Sequence, residues 1–145
     1  MEMFSCIGRY SENELFKSKP SRLYPKSQGC IAKAWEIGTF QDTSAPDPDD
    51  DLGKWKQHNI NKFKFTVEQI ENIRMRSRAF YGLRLQNSEN DTVAVLVFES
   101  LKVSGLPFGK IQRYLKAHEI KNLVNLIESL EQHIPSLEDA RSEGF

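Results

Sequence analysis

Residues 24–38 read YPKSQGCIAKAWEIG, and this stretch says more about the fold than any other part of the chain. A Tyr-Pro turn leads through Gly29 into a short apolar segment that carries Ile31, Ala34 and Trp35 at helical spacing. Gly38 follows, and a glycine just past the last helical residue commonly adopts the left-handed conformation that ends a helix. The sequence therefore predicts a helix over residues 29–37 that is capped by Gly38.

A β-hairpin is predicted further along the chain. Residues 77–86 and 92–100 are rich in β-forming residues, and the polar loop 87–91 lies between them. The second strand alternates between two apolar sets, with Val93, Val95 and Val97 on one face and Ala94, Leu96 and Phe98 on the other. A strand that is apolar on both faces is typical of the middle of a covered sheet. We therefore predict that residues 93–98 form a central strand with helices on both sides.

The N-terminal half supplies one more strand and two more helices. Residues 3–9 contain β-forming residues without helical spacing, which predicts a strand. The loop 42–51 has five aspartates and no basic residue, and its last aspartates favour the start of a helix predicted over residues 50–58. Thr66 and Gln69 have the spacing of a capping box for a helix through residue 73.

The longest helix is predicted at the C-terminal end, from about residue 108 to residue 133. Its apolar residues recur at helical spacing and form one stripe: Ile111, Leu115, Leu123, Leu126, Ile127, Leu130 and Ile134. Pro135 ends this helix because proline cannot continue the backbone hydrogen bonds.

The order of these elements resembles that of GAF domains, which are small-molecule-sensing relatives of the PAS fold. The resemblance covers roughly residues 4–134, and the segments 29–35 and 76–78 are similar to those of bacterial GAF domains of unassigned ligand. It implies an α+β fold with a central antiparallel sheet and helices on both faces. The GAF-like domain is expected over residues 1–135, with a flexible tail over residues 136–145.

The helix and the strand with which GAF domains usually begin have no counterpart here. We therefore expect a fragment of a longer chain, a reduced GAF domain, or a subunit whose missing sheet edge comes from another copy. An unpaired inner strand leaves backbone groups unsatisfied and favours association.

Composition excludes several classes of partner. The 145 residues include 20 basic and 20 acidic ones, so no net charge draws the protein to nucleic acid or anionic lipid. No apolar run approaches the roughly 20 residues that span a bilayer. Residues 1–6 lack the basic and apolar regions of a signal peptide, and two cysteines are too few for a disulfide framework. These features predict a cytoplasmic protein with neither a nucleic-acid nor a membrane partner.

Catalytic chemistry has little support in the sequence. Cys30 begins a helix, where the helix dipole can activate a thiol, and some GAF proteins are methionine-sulfoxide reductases or attach a bilin through a cysteine. The local motifs of both groups are missing, and the apolar neighbours of Cys30 favour a packed thiol. Asn61-Lys62 lacks the Asp-Glu pair of the family's cyclic-nucleotide motif, and the histidines have no metal-ligand spacing. We therefore predict that the protein is not an enzyme and binds neither a cofactor nor a metal. A thiol-dependent redox enzyme of the methionine-sulfoxide reductase type is the least favoured of three hypotheses, the other two being a small-molecule sensor and an interaction module.

Two groups of side chains are candidates for a ligand site. Arg74, Arg76 and Arg78 alternate, so in an extended segment their guanidinium groups lie on one side and suit an anion. The alternative interpretation is that they form ion pairs with the aspartates of residues 47–51. The second group is aromatic: Trp35, Trp55 and Tyr81 either wall a pocket or fill the core.

The resemblance implies a non-catalytic sensor module that binds a small molecule between its sheet and its helices and signals through its C-terminal helix. An anionic small molecule is the candidate ligand. The candidate ligand-binding residues are Trp35, Trp55, Arg76, Arg78 and Tyr81. A ligand-free interaction module is the alternative. A homodimer through the C-terminal helix is predicted in either case, because the apolar stripe is longer than a sheet of this family covers.

Overall fold

The computed structural model describes residues 3–17 and 23–131. In chain order the elements are β1 (Met3–Phe4), a short 3-10 helix (Glu14–Phe16), β2 (Tyr24–Pro25), α1 (Gly29–Ile37), β3 (Thr39–Asp42), α2 (Leu52–Phe63), α3 (Val67–Glu71), β4 (Ala79–Gln86), β5 (Thr92–Ser100), α4 (Phe108–Tyr114) and α5 (Ala117–Glu131). The fold is α+β and contains two small antiparallel sheets. The tail predicted over residues 136–145 lies outside the described residues.

The larger sheet has the strand order β3-β4-β5, and both pairings are antiparallel. β4 is therefore the central strand, and the prediction that residues 93–98 occupy the centre is wrong. Residues 79–82 of β4 are buried, whereas every apolar residue of β5 keeps part of its surface exposed. Helices contact both faces of β5, which accounts for its two-sided apolar pattern, but no described strand pairs with its outer edge.

Helices cover both faces of this sheet. On one face, Cys30 of α1 and Phe63 of α2 pack with Phe80 of β4. On the other face, Val124 of α5 packs with Leu85 of β4. Residues 80 and 85 are an odd number of positions apart, so their side chains point to opposite sides of the strand. The core thus has two halves that share β4 as their common wall.

The predicted helix over residues 29–37 is confirmed as α1. Gly29, its first residue, and Gly38, which follows its last residue, have positive φ angles of 78° and 95°, a region that favours glycine. The N–H group of Gly38 donates to the Ala34 carbonyl at 2.9 Å and closes the last turn. Ala34 faces Gly82 of β4, where the missing side chain lets the helix approach the sheet.

The next two helices are present, with bounds that differ from the prediction: α2 begins at Leu52 instead of residue 50, and both helices end elsewhere. The Asp51 carboxylate caps α2 by accepting a backbone N–H of the first turn at 3.0 Å. The helix continues to Phe63, beyond the predicted end at residue 58, because its buried face continues from Trp55 to Phe63 at helical spacing. Thr66 and Gln69 form the predicted capping box of α3, which ends at residue 71 instead of 73.

The predicted strand over residues 3–9 is mostly wrong. Only Met3–Phe4 is extended and paired, with Tyr24–Pro25 as its antiparallel neighbour. Residues 7–10 are exposed, so they have no sheet surface on which a longer strand would be stabilised.

The prediction of a single long C-terminal helix is also wrong, because α4 and α5 are separate helices. The backbone leaves the helical region at Leu115, with φ −85° and ψ 61°. Neither proline nor glycine stands between residues 113 and 118, so the sequence carries no signal for this break. On α5, Val124 and Ile127 are buried, whereas Leu126 and Leu130 are 55% and 41% exposed. The predicted stripe is thus divided, and its end at residues 132–134 lies outside the described residues.

Candidate functional site

Two of the predicted site residues are part of the core. Trp55 is 2% exposed, packs with Ile70, and donates its indole N–H to the Ser77 carbonyl at 3.1 Å. Tyr81 is 3% exposed and lies 6.0 Å from the ring of Phe98, on the face of β4 opposite to Phe80. These two aromatic side chains do not meet in one pocket.

The arginines differ from one another in their surroundings. Arg78 donates to the Ala45 carbonyl at 3.3 Å, and its guanidinium lies 3.3 Å from the Asp47 carboxylate. This contact is the ion pair with the acidic loop that the alternative interpretation predicted. Arg74 and Arg76 are exposed and form no ion pair with any residue in the described part of the chain.

Trp35 is the predicted site residue that borders a cavity. Its indole lies edge to face with Phe4, with ring centroids 5.1 Å apart and an interplanar angle of 68°. The Lys26 ammonium lies 4.2 Å from the centroid of the Trp35 ring, within the range of a cation–π interaction. The half-buried indole therefore presents one face to a cation.

The cavity has a volume of about 260 Å³ and lies between α1 and the C-terminal end of α2. Its wall carries four lysines and one acidic residue, which are Lys26, Lys33, Lys62, Lys64 and Glu36. Lys33 and Lys64 form no ion pair within the described residues. The rest of the wall consists of Ser27, Gly29, Ala32, Trp35 and Phe63. The potential in this cavity is therefore positive.

Lys62 joins this cavity to a buried carboxylate. Its ammonium nitrogen lies 2.6 Å from Oδ1 of Asp42, the last residue of β3, and 3.1 Å from the Ser44 hydroxyl. The Ser44 hydroxyl and backbone N–H donate to the same Oδ1 at 2.6 Å and 3.3 Å. Burial alone would raise the pKa of Asp42, but the hydrogen bonds from Lys62 and Ser44 outweigh it and hold this pKa below its usual range.

The second carboxylate oxygen has a different environment. Oδ2 of Asp42 lies 3.8 Å from Nε2 of His58, which stands one turn before Lys62 on α2. Both atoms are buried, and neither has a hydrogen-bond partner. Buried polar atoms are usually paired, because an unpaired one costs about 1–3 kcal/mol.

Lys64 reaches the cavity through an unusual backbone conformation. It follows the last residue of α2 with φ 60° and ψ 29°, and its N–H donates to the Ile60 carbonyl at 3.1 Å. A left-handed conformation costs a non-glycine residue on the order of 1 kcal/mol. The sequence keeps a lysine at a position where glycine or asparagine is the usual choice for a helix end.

The geometry of the cysteines does not favour thiol chemistry. Cys30 is 5% exposed, and burial raises its pKa to about 12, with smaller contributions from the charges of Glu99 and Asp42. A protonated, covered thiol is a poor nucleophile. Cys6 is half-buried and donates to the Gly8 carbonyl at 3.2 Å.

No family model, curated protein or solved structure matches this chain. The relation to GAF domains therefore stays a prediction. Within residues 3–17 and 23–131, no cluster of three or more His, Cys, Asp and Glu side chains has the arrangement of a metal site. The helices in this same part of the chain are all too short or too polar to cross a membrane.

Proposed function

We propose that this protein is a non-catalytic, GAF-like binding module that takes an anionic small molecule in the lysine-lined cavity. The observation that carries the proposal is the excess of lysines over acids around this cavity. Lys33 and Lys64, which form no ion pair with a described residue, are the groups best placed to bind an anion. This site replaces the combination of Arg76, Arg78, Trp55 and Tyr81, because Trp55 and Tyr81 are core residues and Arg78 pairs with Asp47.

The volume and the wall limit the class of ligand. Ligand pockets usually measure about 300–1,000 Å³, so a cavity of about 260 Å³ suits a small carboxylate or phosphate-bearing molecule. Trp35 and Phe63 add an apolar wall against which an organic part of the ligand would pack.

The packing of α1 suggests a route from the cavity to the C-terminal helix. α1 lines the cavity with Lys33 and Trp35 and packs on β4 at Gly82. The opposite face of β4 carries Leu85, against which Val124 of α5 packs. A ligand that shifts α1 would therefore bias the packing of α5, which is the signal that we propose.

A second candidate function, self-association through α5, is favoured by one observation. Leu126 and Leu130 are four residues apart on the same side of α5, and both are largely exposed. Two exposed leucines at this spacing suit a two-fold pairing of helices. We propose a homodimer that forms with or without a ligand.

Calorimetric titration with inorganic phosphate and with citrate tests the anion site. Lys33→Gln and Lys64→Gly each remove one positive charge from the cavity, so each variant should bind the anion more weakly than the parent. Lys64→Gly also relieves the left-handed backbone strain at this residue, so it should not be less stable than the parent. Lys121→Gln, on the exposed surface of α5, is the matched control for the loss of one charge. Tight binding that is unchanged in both cavity variants would place the anion elsewhere, and no binding to the parent would reject the proposal.

A further inference from the structure

The unpaired atoms of Asp42 and His58 lie directly beside a lysine of the cavity. Oδ1 of Asp42 is fully engaged by Lys62 and Ser44, while Oδ2 faces the His58 ring without a bond. The distance of 3.8 Å from Nε2 to Oδ2 is within ion-pair range but beyond a hydrogen bond. A protonated ring would be attracted to this carboxylate oxygen, because opposite charges at this distance interact favourably.

We infer that His58 makes the anion site proton-dependent: when its imidazole takes up one proton, it pairs with Asp42 and releases Lys62 to a bound anion. The inference rests on the proposed function, because the released lysine acts on an anion in the cavity. His58 and Asp42 are thus positioning residues for Lys62 and do not touch the ligand themselves.

The protonation step involves one proton from solvent and no other reactant. A neutral imidazole has one N–H donor, on either Nδ1 or Nε2, whereas the protonated ring donates from both nitrogens, so protonation guarantees a donor at Nε2. Asp42 then divides its attraction between two cations. Lys62, whose side chain is 33% exposed and already lines the cavity, is held less tightly and can turn toward an anion.

Charged groups of several other elements lie around this ring, among them Glu99 of β5, which shares a cross-strand row and a sheet face with Asp42. β3 contributes Asp42, and the loop after β3 contributes the neutral Ser44. α1 carries Lys33 and Glu36 to the cavity beyond Lys62. α3 also packs on α2, and its Glu71 pairs with Lys56 at 2.7 Å on the exposed side.

The sign of the effect follows from linkage. Protonation adds one positive charge and frees a second one near the cavity, so an anion binds more tightly at low pH. By reciprocity, a bound anion increases the proton affinity of His58 by the same factor. We expect at least a fivefold difference in affinity, which is about the lower end of typical coupling between two sites.

Sulfate is a suitable probe because its charge is constant across this range of pH. Titration calorimetry with sulfate at about pH 5.5 and about pH 8, on either side of ordinary histidine titration, should show tighter binding at the lower pH. His58→Gln should bind with one affinity at both values. His118→Gln is the matched control, because His118 is exposed on α5 with Asn122 as its contact, and it should keep the full pH dependence.

Asp42→Asn provides a second variant in case His58→Gln does not fold. It removes the charge that holds Lys62, so its sulfate affinity should be high at both pH values and no longer depend on pH. An equal affinity of the parent at both values, or an undiminished pH dependence in His58→Gln, would overturn the inference.

NMR of the ligand-free protein separates this inference from the proposed function. The ring protons of His58 and the ε-methylene protons of Lys62 should titrate with one common midpoint, and this coupling should vanish in Asp42→Asn. Coupled titration without any sulfate binding would reject the anion site and keep the link between His58 and Lys62. Independent titration of the two groups would reject that link even if sulfate binds.

Discussion

Ala34 and Gly82 are in such close contact that a β-carbon added to Gly82 would lie 2.8 Å from the β-carbon of Ala34. The same added atom would lie 3.0 Å from the Cys30 sulfur. α1 is therefore seated on β4 at a distance that only glycine permits, and this contact fixes the position of one wall of the cavity.

Replacing Gly82 with alanine should consequently destabilise the protein. Overpacking of a close contact costs about 1–3 kcal/mol, and the free energy of unfolding from urea titration should fall by that amount. Gly109→Ala is the control, because an added β-carbon at Gly109 has no neighbour within 4 Å and alanine is the better helix former. Equal stability of Gly82→Ala and the parent would show that α1 can move away from β4 at no cost.

Arg78 and Arg76 should respond differently to loss of charge. Arg78→Gln removes the ion pair with Asp47 and the hydrogen bond to the buried Ala45 carbonyl, so it should lower the free energy of unfolding by about 1 kcal/mol without a ligand. Arg76→Gln changes an exposed residue and should stay within about 0.5 kcal/mol of the parent. Thermal unfolding of both variants, with and without citrate, checks this. A citrate-induced stabilisation that disappears only in the arginine variants would restore a ligand role for them.

Asp42 should make the protein less stable in acid. Its folded-state pKa lies below the usual value, so its ion pair with Lys62 contributes stability above the unfolded pKa of about 3.9 and loses it as the pH falls through the folded pKa. The stability difference between the parent and Asp42→Asn should therefore be fully present above the unfolded pKa and shrink toward about pH 3. Urea titrations across this range measure it. Asp50→Asn, in the exposed loop, should show no such trend, and a constant difference for Asp42→Asn would contradict the assignment.

Leu126→Glu combined with Leu130→Glu should convert a dimer into a folded monomer. Both side chains are largely exposed in one chain, so their replacement should change the free energy of unfolding by no more than about 0.5 kcal/mol per site, while two buried charges should prevent pairing. Sedimentation velocity reports the mass. Asn125→Glu adds a charge beside them and serves as the control. If the parent protein is monomeric at high concentration, the dimer proposal is rejected. If the double variant is unfolded, both leucines belong to the core.

The local signals in the sequence were sufficient for most elements. Gly38 at the end of α1, Asp51 at the start of α2 and the Thr66 capping box each predict a boundary from contacts within one turn, and all three are present. The order of the strands within the sheet is not encoded in such local contacts, because it depends on how helices and strands that are distant in sequence pack together. β5 is apolar on both faces yet lies at the edge, and no local pattern distinguishes that arrangement from a central strand.

The candidate site could be predicted only in part. The sequence marks Trp35 as a residue that either walls a pocket or fills the core. The lysines come from the turn before α1, from α1 itself and from the end of α2, so their meeting depends on tertiary packing. The sequence pattern places Asp42 among several loop aspartates, whereas it belongs to a strand and is buried. A helix longer than predicted brings Lys62 to Asp42, and the end of that helix depends on the packing of Phe63 against the sheet.

The position of β5 at the edge of the sheet bears on aggregation of the purified protein. Residues 93–98 form a six-residue run of valine, alanine, leucine and phenylalanine without charge, proline or glycine, which is the composition of segments that stack into cross-β fibrils. α5 packs against this strand and shields one of its faces. Treatments that loosen α5, such as mild acid, heating or proteolysis within the break between α4 and α5, should therefore expose more of this segment and favour fibril growth.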